Sequence, residues 1–307
     1  MISTLTIILI FFITAIVLCL FRIACVRGET YDVTTLKLKK NGKLSKYLLE
    51  LQEAKKFLET LTYENITITS YDGLKLSAKY FKNKNSDKII IFFHGYRSIA
   101  ENDFGAQAKW YYELGYNVLM VDQRSHGKSE GKYITFGIKE RYDVVSWCKY
   151  VERNFENINE IILAGMSMGS TTVLLASALN LPRNVKGVIA DCGFTSPKDI
   201  MSKVVERRYG INGKIILPFV NILCRNIAKF DLYEANVPDA MQQNKLPILF
   251  IHGQADDFVP SQMSKENFNA CRSKKGLVLV DTVNHGLSYF VNKKKVQNEI
   301  QKFLKEI

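Results

Sequence analysis

One stretch of the chain restricts its possible folds more than any other. An apolar run at residues 161–164 passes through a Gly-x-Ser-x-Gly pattern into a run of small residues at 170–179. The first run is typical of a buried strand and the second of a helix. Gly165 and Gly169 lie two residues on either side of Ser167, where side chains would collide as strand and helix fold back on each other. The pattern therefore predicts a sharp strand–turn–helix element that exposes the Ser167 hydroxyl.

Apolar strand-like runs alternate with helical patterns along most of the chain, and an Asp72-Gly73 pair predicts a hairpin between the first two runs. The predicted strands are residues 65–70, 74–81, 89–93, 117–121, 161–164, 185–190, 247–251 and 277–280. The predicted helices are residues 104–114, 136–151, 170–179 and 261–270, with a last amphipathic helix that reaches Ile307. This alternation predicts the α/β class, with a mostly parallel central sheet and helices on both faces.

The N-terminal segment is apolar and carries no charged side chain before Arg22. About 20 such residues are needed to cross a hydrocarbon core of about 30 Å. A cleaved signal peptide would have Lys or Arg before the apolar run and a small-x-small site after it, and neither is present. A lipoprotein site at Cys19 or Cys25 is poorly supported by the neighbouring residues. We therefore predict an uncleaved transmembrane anchor at residues 1–26, which makes the membrane a partner of the chain.

Positive charge accumulates after the anchor, in a segment that contains Arg27, Lys37, Lys39, Lys40, Lys43 and Lys46. The positive-inside bias then predicts a single-pass protein whose globular domain lies on the cytoplasmic side. The opposite orientation stays open, because a single span has few flanking residues on which the charges of its two sides can be compared. Residues 27–61 are predicted to form a basic linker and an amphipathic helix, which we expect to pack on the domain rather than lie on lipid.

The globular domain is predicted at residues 62–307, and one long segment interrupts its alternation of strands and helices. Residues 192–246 are far more than a crossover helix requires, and they mix apolar with basic side chains. We predict an inserted helical lid at about residues 193–243, over the carboxyl ends of the strands, where such insertions often line a substrate site.

The net charge of +12 raises the question of nucleic-acid binding, but the basic residues are dispersed and show no recognition motif. We therefore predict no nucleic-acid partner. The six cysteines show no C-x-x-C spacing and predict neither a metal site nor a disulfide framework. No metal and no cofactor are expected.

A serine hydroxyl is a weak nucleophile that requires a base, and the base requires an acid to orient it. Only two histidines follow Ser167 in the chain, and His285 comes directly after the last predicted strand. Asp256 follows the predicted strand at residues 247–251, which precedes the last one. Carboxyl ends of parallel strands meet at one edge of a sheet. The predicted catalytic residues are therefore Ser167, Asp256 and His285.

Acyl transfer also needs two N–H groups directed at the developing oxyanion. The first is predicted to be the backbone N–H of Met168, directly after the nucleophile. The second is predicted to be the backbone N–H of Tyr96, in the His94-Gly95-Tyr96 loop that follows the strand at 89–93.

At this point the chain resembles the α/β-hydrolase superfamily, on its esterase/lipase and serine-aminopeptidase-like branch, and in particular bacterial membrane-anchored members. The matching segments are residues 94–96, the 122–129 loop, the Ser167 turn, His252-Gly253-x-x-Asp256-x-x-Val259-Pro260 and Asn284-His285-Gly286. The resemblance covers about residues 62–307 and implies the fold, the triad and the oxyanion hole, but no substrate. One departure is Ser125, which stands where the family usually has a glycine.

Other polar residues near the predicted site have structural interpretations. His94 and His252 are expected to make hydrogen bonds at strand ends, and His126 to order its own loop. Asp257 is interpreted as the cap of the helix that begins near Pro260. Asp191 ends a strand and is the alternative triad acid.

These patterns predict a membrane-tethered serine hydrolase that cleaves carboxylic esters through an acyl-enzyme, with a small-molecule or lipid-like acyl substrate. Three alternatives keep the triad and change the bond: an aminopeptidase or amidase, a thioesterase, and an acyltransferase. An alternative of another class is a catalytically silent membrane scaffold, against which the complete set of site residues argues.

Overall fold

The computed structural model of the chain describes residues 4–30, 45–84 and 86–307. Within these residues, eight strands form one sheet. They are β1 (Glu64–Thr69), β2 (Lys75–Phe81), β3 (Lys88–Phe93), β4 (Asn117–Val121), β5 (Glu160–Met166), β6 (Val185–Asp191), β7 (Ile248–Gly253) and β8 (Lys275–Val280). Each predicted strand is present, with bounds that differ by at most two residues from the expected ones.

The strands lie in the order β1-β2-β4-β3-β5-β6-β7-β8. Strands β1 and β2 form an antiparallel hairpin, and β2 also runs antiparallel to β4. All pairs from β4 to β8 are parallel. The prediction of a mostly parallel sheet is therefore confirmed, and the carboxyl ends of β3 and β5 to β8 meet at one edge.

Two hydrophobic cores, one on each face of the sheet, explain why the strands are so apolar. In β3, Ile90 and Phe92 belong to one core, whereas Ile89 and Ile91 belong to the other. Successive side chains of a strand point to opposite faces, so a strand covered on both sides has no position for an exposed polar residue.

The described residues contain eleven α-helices, which cover both faces of the sheet and the edge where β5 ends. They are α1 (Thr4–Cys25), α2 (Leu48–Thr60), α3 (Ala100–Glu113), α4 (Glu140–Asn154), α5 (Met168–Ala176), α6 (Pro197–Tyr209), α7 (Gly213–Leu223), α8 (Val237–Gln243), α9 (Ser261–Ala270), α10 (Ser288–Val291) and α11 (Lys293–Glu306). Helix α4 begins later than predicted from residue 136, because Phe136 has a φ of 55° that no right-handed helix admits.

Helix α2 lies in the segment before residue 62, and it packs on the domain. Leu51, Ala54 and Leu58 are buried on one side of α2, and the last two belong to the core that includes Phe104 of α3. Residues 31–44, which contain most of the basic segment after the anchor, lie outside the described residues.

The insertion between β6 and β7 contains α6, α7, a π-helical turn (Cys224–Ala228) and α8. We call residues 193–243 the lid. Its apolar side chains form a third cluster together with Met168, the residue after Ser167, and with the C-terminal part of α1. The lid therefore lies over the edge of the sheet where β5 ends.

Helix α1 is the one helix among the described residues that is long and apolar enough to cross a membrane, a test that a signal sequence also passes. Its N-terminal part is exposed, as at Leu5 and Phe11, whereas Val17, Leu20 and Phe21 are buried. The helix thus leaves the domain with one apolar part uncovered and the other packed against the lid.

Candidate active site

Ser167 lies in the sharp turn between β5 and α5. Its φ of 53° and ψ of −113° fall in a sparsely populated region of backbone space, which costs on the order of 1–3 kcal/mol for a residue with a side chain. The surrounding packing holds this conformation, and the Ser167 N–H donates to the Asp191 carbonyl oxygen at 2.9 Å.

The two glycines of the motif have the steric role that the sequence predicted. A Cβ at Gly169 would lie 1.8 Å from the Phe93 carbonyl oxygen, and a Cβ at Gly165 would lie 2.3 Å from the Gly169 carbonyl oxygen. Both obstacles are main-chain atoms, which cannot rotate away. The close crossing of β3, β5 and α5 therefore requires glycine at both positions.

The structure brings the three predicted catalytic side chains into one hydrogen-bonded chain. Ser167 Oγ lies 2.9 Å from His285 Nε2, and His285 Nδ1 lies 2.7 Å from Asp256 Oδ2. A carboxylate can only accept, so Nδ1 carries the proton and Nε2 is free to accept the Ser167 hydroxyl proton. This is the arrangement that a serine nucleophile requires.

Asp256 is surrounded by donors. Its Oδ1 accepts the backbone N–H groups of Phe258 and Val259, each at 2.9 Å, while Oδ2 accepts from His252 as well as from His285. Burial alone would raise the pKa of Asp256, but the hydrogen bonds from His252 and His285 and the attraction of His285 outweigh it and hold that pKa well below its usual range. Asp256 is therefore ionised near neutral pH.

The second histidine on Asp256 was not expected from the sequence. His252 is fully buried, with Nε2 at 3.1 Å from Asp256 Oδ2 and at 2.9 Å from the Val259 carbonyl oxygen. Its Nδ1 lies 2.7 Å from Ser264 Oγ. His252 thus fixes the loop that carries Asp256, and the His-x-x-x-Asp spacing was the signal for it.

The capping role predicted for Asp257 is wrong. Helix α9 has Pro260 as its N-cap residue and no side-chain cap, because the chain between Asp256 and Pro260 is held by the bonds to Asp256 Oδ1 described above. The Asp257 carboxylate points to the lid instead, where it lies 3.6 Å from Arg207 Nη2.

Asp191, the alternative acid, ends β6 and is buried. Its Oδ1 has no hydrogen-bond partner among the described residues. Burial raises the pKa of Asp191 to about 7, and repulsion from Asp256 adds to the rise, while the charge of His252 opposes it. The carboxyl that hydrogen-bonds to His285 is that of Asp256.

The raised pKa predicts an unusual pH dependence of stability. Between about pH 4 and pH 7 the folded chain keeps a proton on Asp191 that the unfolded chain has lost. The contribution of Asp191 to the free energy of unfolding therefore falls as pH rises, by up to about 1.4 kcal/mol per pH unit. Asp191→Asn cannot ionise and should therefore gain stability relative to wild type at pH 8 but not at pH 4. Unfolding midpoints of both proteins at the two pH values test this, and parallel curves would contradict it.

The loop after β3 is held from several sides. The Gly95 N–H donates to Asp103 Oδ2 at 2.6 Å, and the Ser98 hydroxyl donates to the other carboxylate oxygen at 2.7 Å. Burial raises the pKa of Asp103 despite these two bonds. Because a Cβ at Gly95 would lie 3.4 Å from Ser167 Cβ, the loop passes directly beside the nucleophile. The sequence contained no signal for the role of Asp103.

This loop carries Tyr96, and α5 begins with Met168. The first N–H groups of a helix have no partner inside the helix. The Met168 N–H is therefore available to an oxyanion beside Ser167, and Tyr96 directly follows Gly95, whose Cβ position lies 3.4 Å from Ser167 Cβ. The arrangement of both residues is compatible with their predicted role.

The two remaining histidines support this loop. His94 Nε2 accepts the Gln123 N–H, and His126 Nε2 accepts the Arg97 N–H, each at 3.0 Å. Burial lowers the pKa of His94 to about 4 and that of His126 to about 3, so both are neutral near pH 7. Their structural interpretation agrees with these contacts.

The family glycine replaced by Ser125 lies in the same region. Ser125 has a φ of 65°, which explains why glycine is usual there. Its hydroxyl donates to the Tyr133 carbonyl oxygen at 2.8 Å and thereby compensates part of the backbone strain.

Three potential metal ligands, Cys192, Asp256 and His285, lie within 4.8 Å of one another. Asp256 and His285 are already hydrogen-bonded to each other. Burial raises the pKa of the Cys192 thiol well above its usual value, so the thiol stays protonated. The donor set is thus suited to orienting an imidazole rather than to binding an ion.

Two cavities meet at Ser167. The larger one, about 370 Å³, is lined by His285, by polar residues such as Ser98 and by apolar residues such as Leu287 and Phe290. The smaller one, about 140 Å³, is lined mainly by apolar side chains of the lid and of α1. The nucleophile therefore lies between a wider space of mixed polar and apolar lining on the histidine side and a narrower apolar one.

Comparison with known proteins extends these observations. Residues 84–236 match the family described as serine aminopeptidase, S33. The Bacillus subtilis protein YqkD, described as uncharacterized, is 24% identical over 237 residues, which are 77% of each chain. A Saccharomyces cerevisiae relative, described as the uncharacterized membrane protein YNL320W, is 23% identical over 219 residues, which are 69% of each chain.

Solved structures share the fold. The Pyrococcus furiosus esterase Pf2001 is 25% identical with a TM-score of 0.64, over 83% of this chain and 94% of its own. Est1E from Butyrivibrio proteoclasticus, solved with ferulic acid, is 21% identical with a TM-score of 0.60, over 78% of this chain and 98% of its own. Since the sheet order, the turn at Ser167 and these matches agree, the chain belongs to the α/β-hydrolase superfamily and is a hydrolase.

Proposed function

We propose that the protein is a membrane-tethered serine hydrolase that cleaves carboxylic esters through an acyl-enzyme on Ser167. The observation that carries this proposal is the unbroken chain of hydrogen bonds from Ser167 through His285 to Asp256. It supplies a nucleophile, a base and an orienting anion in one line.

In the first half of the reaction, Ser167 Oγ attacks the ester carbonyl carbon while its proton passes to His285 Nε2. The carbonyl oxygen becomes an oxyanion, which the backbone N–H groups of Tyr96 and Met168 stabilise. The bond to the alcohol oxygen then breaks, and His285 returns the proton to that oxygen. Asp256 stays ionised throughout and stabilises the imidazolium.

In the second half, a water molecule attacks the acyl carbon and gives its proton to His285 Nε2. The bond between the acyl carbon and Ser167 Oγ breaks as His285 returns the proton to the serine oxygen. The carboxylic acid leaves and the starting state is restored.

Each of the two cavities is suited to one part of the ester. His285 protonates the leaving alcohol, so the alcohol occupies the 370 Å³ cavity that His285 lines. The acyl group then occupies the 140 Å³ apolar cavity. Arg208 is the charged residue among the described residues that line this cavity. Its guanidinium group would repel the ammonium group of an aminoacyl substrate. This favours an ester with an apolar acyl group over an aminopeptidase substrate, although the matched family is described as serine aminopeptidase.

Labelling and substrate profiling test the proposal together. A fluorophosphonate should modify the wild-type protein on Ser167 and leave Ser167→Ala unlabelled. Hexanoyl esters should be cleaved faster than the corresponding thioesters and than aminoacyl anilides. Preferred cleavage of aminoacyl anilides would indicate the aminopeptidase alternative, and faster thioester cleavage a thioesterase. Absence of both label and turnover would indicate a silent scaffold.

The tether proposal is supported by α1. Residues 4–15 of this helix are exposed, whereas Val17, Leu20 and Phe21 pack against the lid, so the apolar exposed part of α1 ends where the lid begins. The lid beside α1 would therefore lie in the membrane interface. The exposed Ile215, Phe219 and Ile222 of α7 are apolar side chains suited to that position.

The cytoplasmic orientation rests on the basic residues after the anchor, and its test is topological. Protease added to intact cells should leave the domain uncut, and it should digest the domain after the membrane is permeabilised. Digestion in intact cells would reverse the proposed orientation.

A further inference from the structure

The C-terminal part of α1 is integrated into the domain rather than connected to it by a free linker. Cys25 is fully buried, with its sulfur 3.8 Å from that of Cys224 in the lid. The Cys25 carbonyl oxygen accepts the Ile134 N–H at 2.7 Å. Arg27 then donates from its two Nη atoms to the carbonyl oxygens of Ser129 and Gly127, each at 2.6 Å.

The end of α1 is also bound to the loop beside the nucleophile. The Tyr96 hydroxyl lies 2.9 Å from the Ile23 carbonyl oxygen and 3.0 Å from that of Ala24. Arg97 Nη2 donates to the carbonyl oxygens of Ile23 and Val26, at 2.9 and 3.1 Å. The last carbonyl groups of a helix have no partner inside the helix, and a cation is favourable there. The helix end and the loop that carries Tyr96 therefore form one unit.

Three side chains of this helix reach the smaller cavity. Leu20, Ile23 and Ala24 line it together with Ser167. Leu217 and Val220 of the lid line it as well. Since Leu20 is buried and Leu18 is 48% exposed, the helix presents one side to the cavity and another to its surroundings.

We propose that the anchor helix is a specificity-determining part of the acyl site: Leu20, Ile23 and Ala24 form one wall of the acyl pocket and limit the length of the acyl chain. This inference rests on the proposed serine hydrolase function. An apolar cavity of about 150 Å³ holds a benzene-sized molecule, so the 140 Å³ of this cavity fits an acyl chain of about six carbons. The helix that binds the protein to the membrane thus also selects its substrate.

Alkyl fluorophosphonates with chains of two to ten carbons are a suitable probe, because their reaction with Ser167 does not depend on which bond the enzyme cleaves. Rates of inactivation are measured on the full-length protein in detergent micelles. In wild type the rate should rise with chain length, by up to about fourfold for each methylene that the pocket buries, and should stop rising near six carbons.

Three variants locate the wall. Leu20→Ala enlarges the pocket and should move the optimum two to three carbons longer. Ala24→Leu fills it and should slow the six-carbon reagent at least tenfold, while the two-carbon reagent changes by less than about threefold. Leu18→Ala removes the same atoms as Leu20→Ala from the exposed side of the same helix, and its profile should match that of wild type.

The outcomes separate the inference from the proposed function. Labelling of every variant with one common chain-length profile would overturn the assignment of the wall while leaving Ser167 as the nucleophile. A shift in Leu18→Ala equal to that in Leu20→Ala would overturn it as well, because the effect would then come from the helix in general. Failure of wild type to react with any of the reagents would overturn the proposed function and the inference with it.

Discussion

Asp256→Asn is expected to lower kcat by about 10⁴-fold, the size that loss of the acid has in serine proteases. The backbone N–H groups of Phe258 and Val259 hold one side-chain oxygen in place, so the asparagine would keep its oxygen there and turn its NH₂ group toward His285. His285 Nδ1 then has to accept rather than donate. The ring proton moves to Nε2, which can no longer take the proton of Ser167.

Asp257→Asn is the matched control for this prediction. Asp257 is adjacent in sequence, but its side chain is 49% exposed and pairs with Arg207 at 3.6 Å. Exposed ion pairs of this kind are worth about 0–1 kcal/mol, so turnover and melting temperature should stay close to those of wild type. Steady-state kinetics of both variants, with circular dichroism to confirm the fold, decide the matter. A large loss in Asp257→Asn alone would move the acid by one residue, and loss in neither would leave Asp191 as the candidate.

Gly169→Ala is expected to destabilise the protein by about 3 kcal/mol and to abolish labelling of Ser167. Its Cβ would lie 1.8 Å from the Phe93 carbonyl oxygen and 2.6 Å from that of His94. Overpacking in a well-packed core typically costs about 1–3 kcal/mol, and here both obstacles are main-chain atoms. To relieve the contact, either α5 or the end of β3 must shift. The loop that carries Tyr96 would then move away from Ser167.

Gly105→Ala is a control with the opposite expected sign. Gly105 lies in the middle of α3, and the nearest atom to its Cβ would be Ala54 Cβ at 3.9 Å, an ordinary contact. Alanine favours a helix by about 1 kcal/mol over glycine, so this variant should melt at a higher temperature and keep its activity. A Gly169→Ala protein that melts and reacts like wild type would refute the account of the turn.

The strands and the turn at Ser167 could be predicted because their signals are local. A strand buried on both faces must be apolar over its whole length, as β3 is, and such runs are recognisable wherever they occur. The delayed start of α4 could not be predicted, because it depends on the left-handed backbone at Phe136. Local patterns show which element forms but rarely where it begins.

The site was predictable to the extent that it depends on chain order. Ser167, Asp256 and His285 each follow a strand, and parallel strands end at a common edge. The role of Asp103 was missed, because no spacing distinguishes a carboxylate that holds a loop from one on the surface. The contact of His252 with Asp256 was missed although its His-x-x-x-Asp spacing is present. The cap assigned to Asp257 was wrong for a related reason. The Val259 N–H, just before the helix, donates to Asp256 rather than to Asp257.

By itself, the sequence determined the α/β class, the strand–turn–helix element and the order of the three polar side chains, because each depends on neighbours along the chain. Only the tertiary structure decided what α1 does. Its apolar composition predicts a membrane anchor and nothing more. Its role beside Ser167 depends on contacts such as that between Tyr96 and Ile23, which are 73 residues apart. Such contacts form only when the folded sheet, lid and helix bury their apolar surfaces together, and no local pattern encodes them.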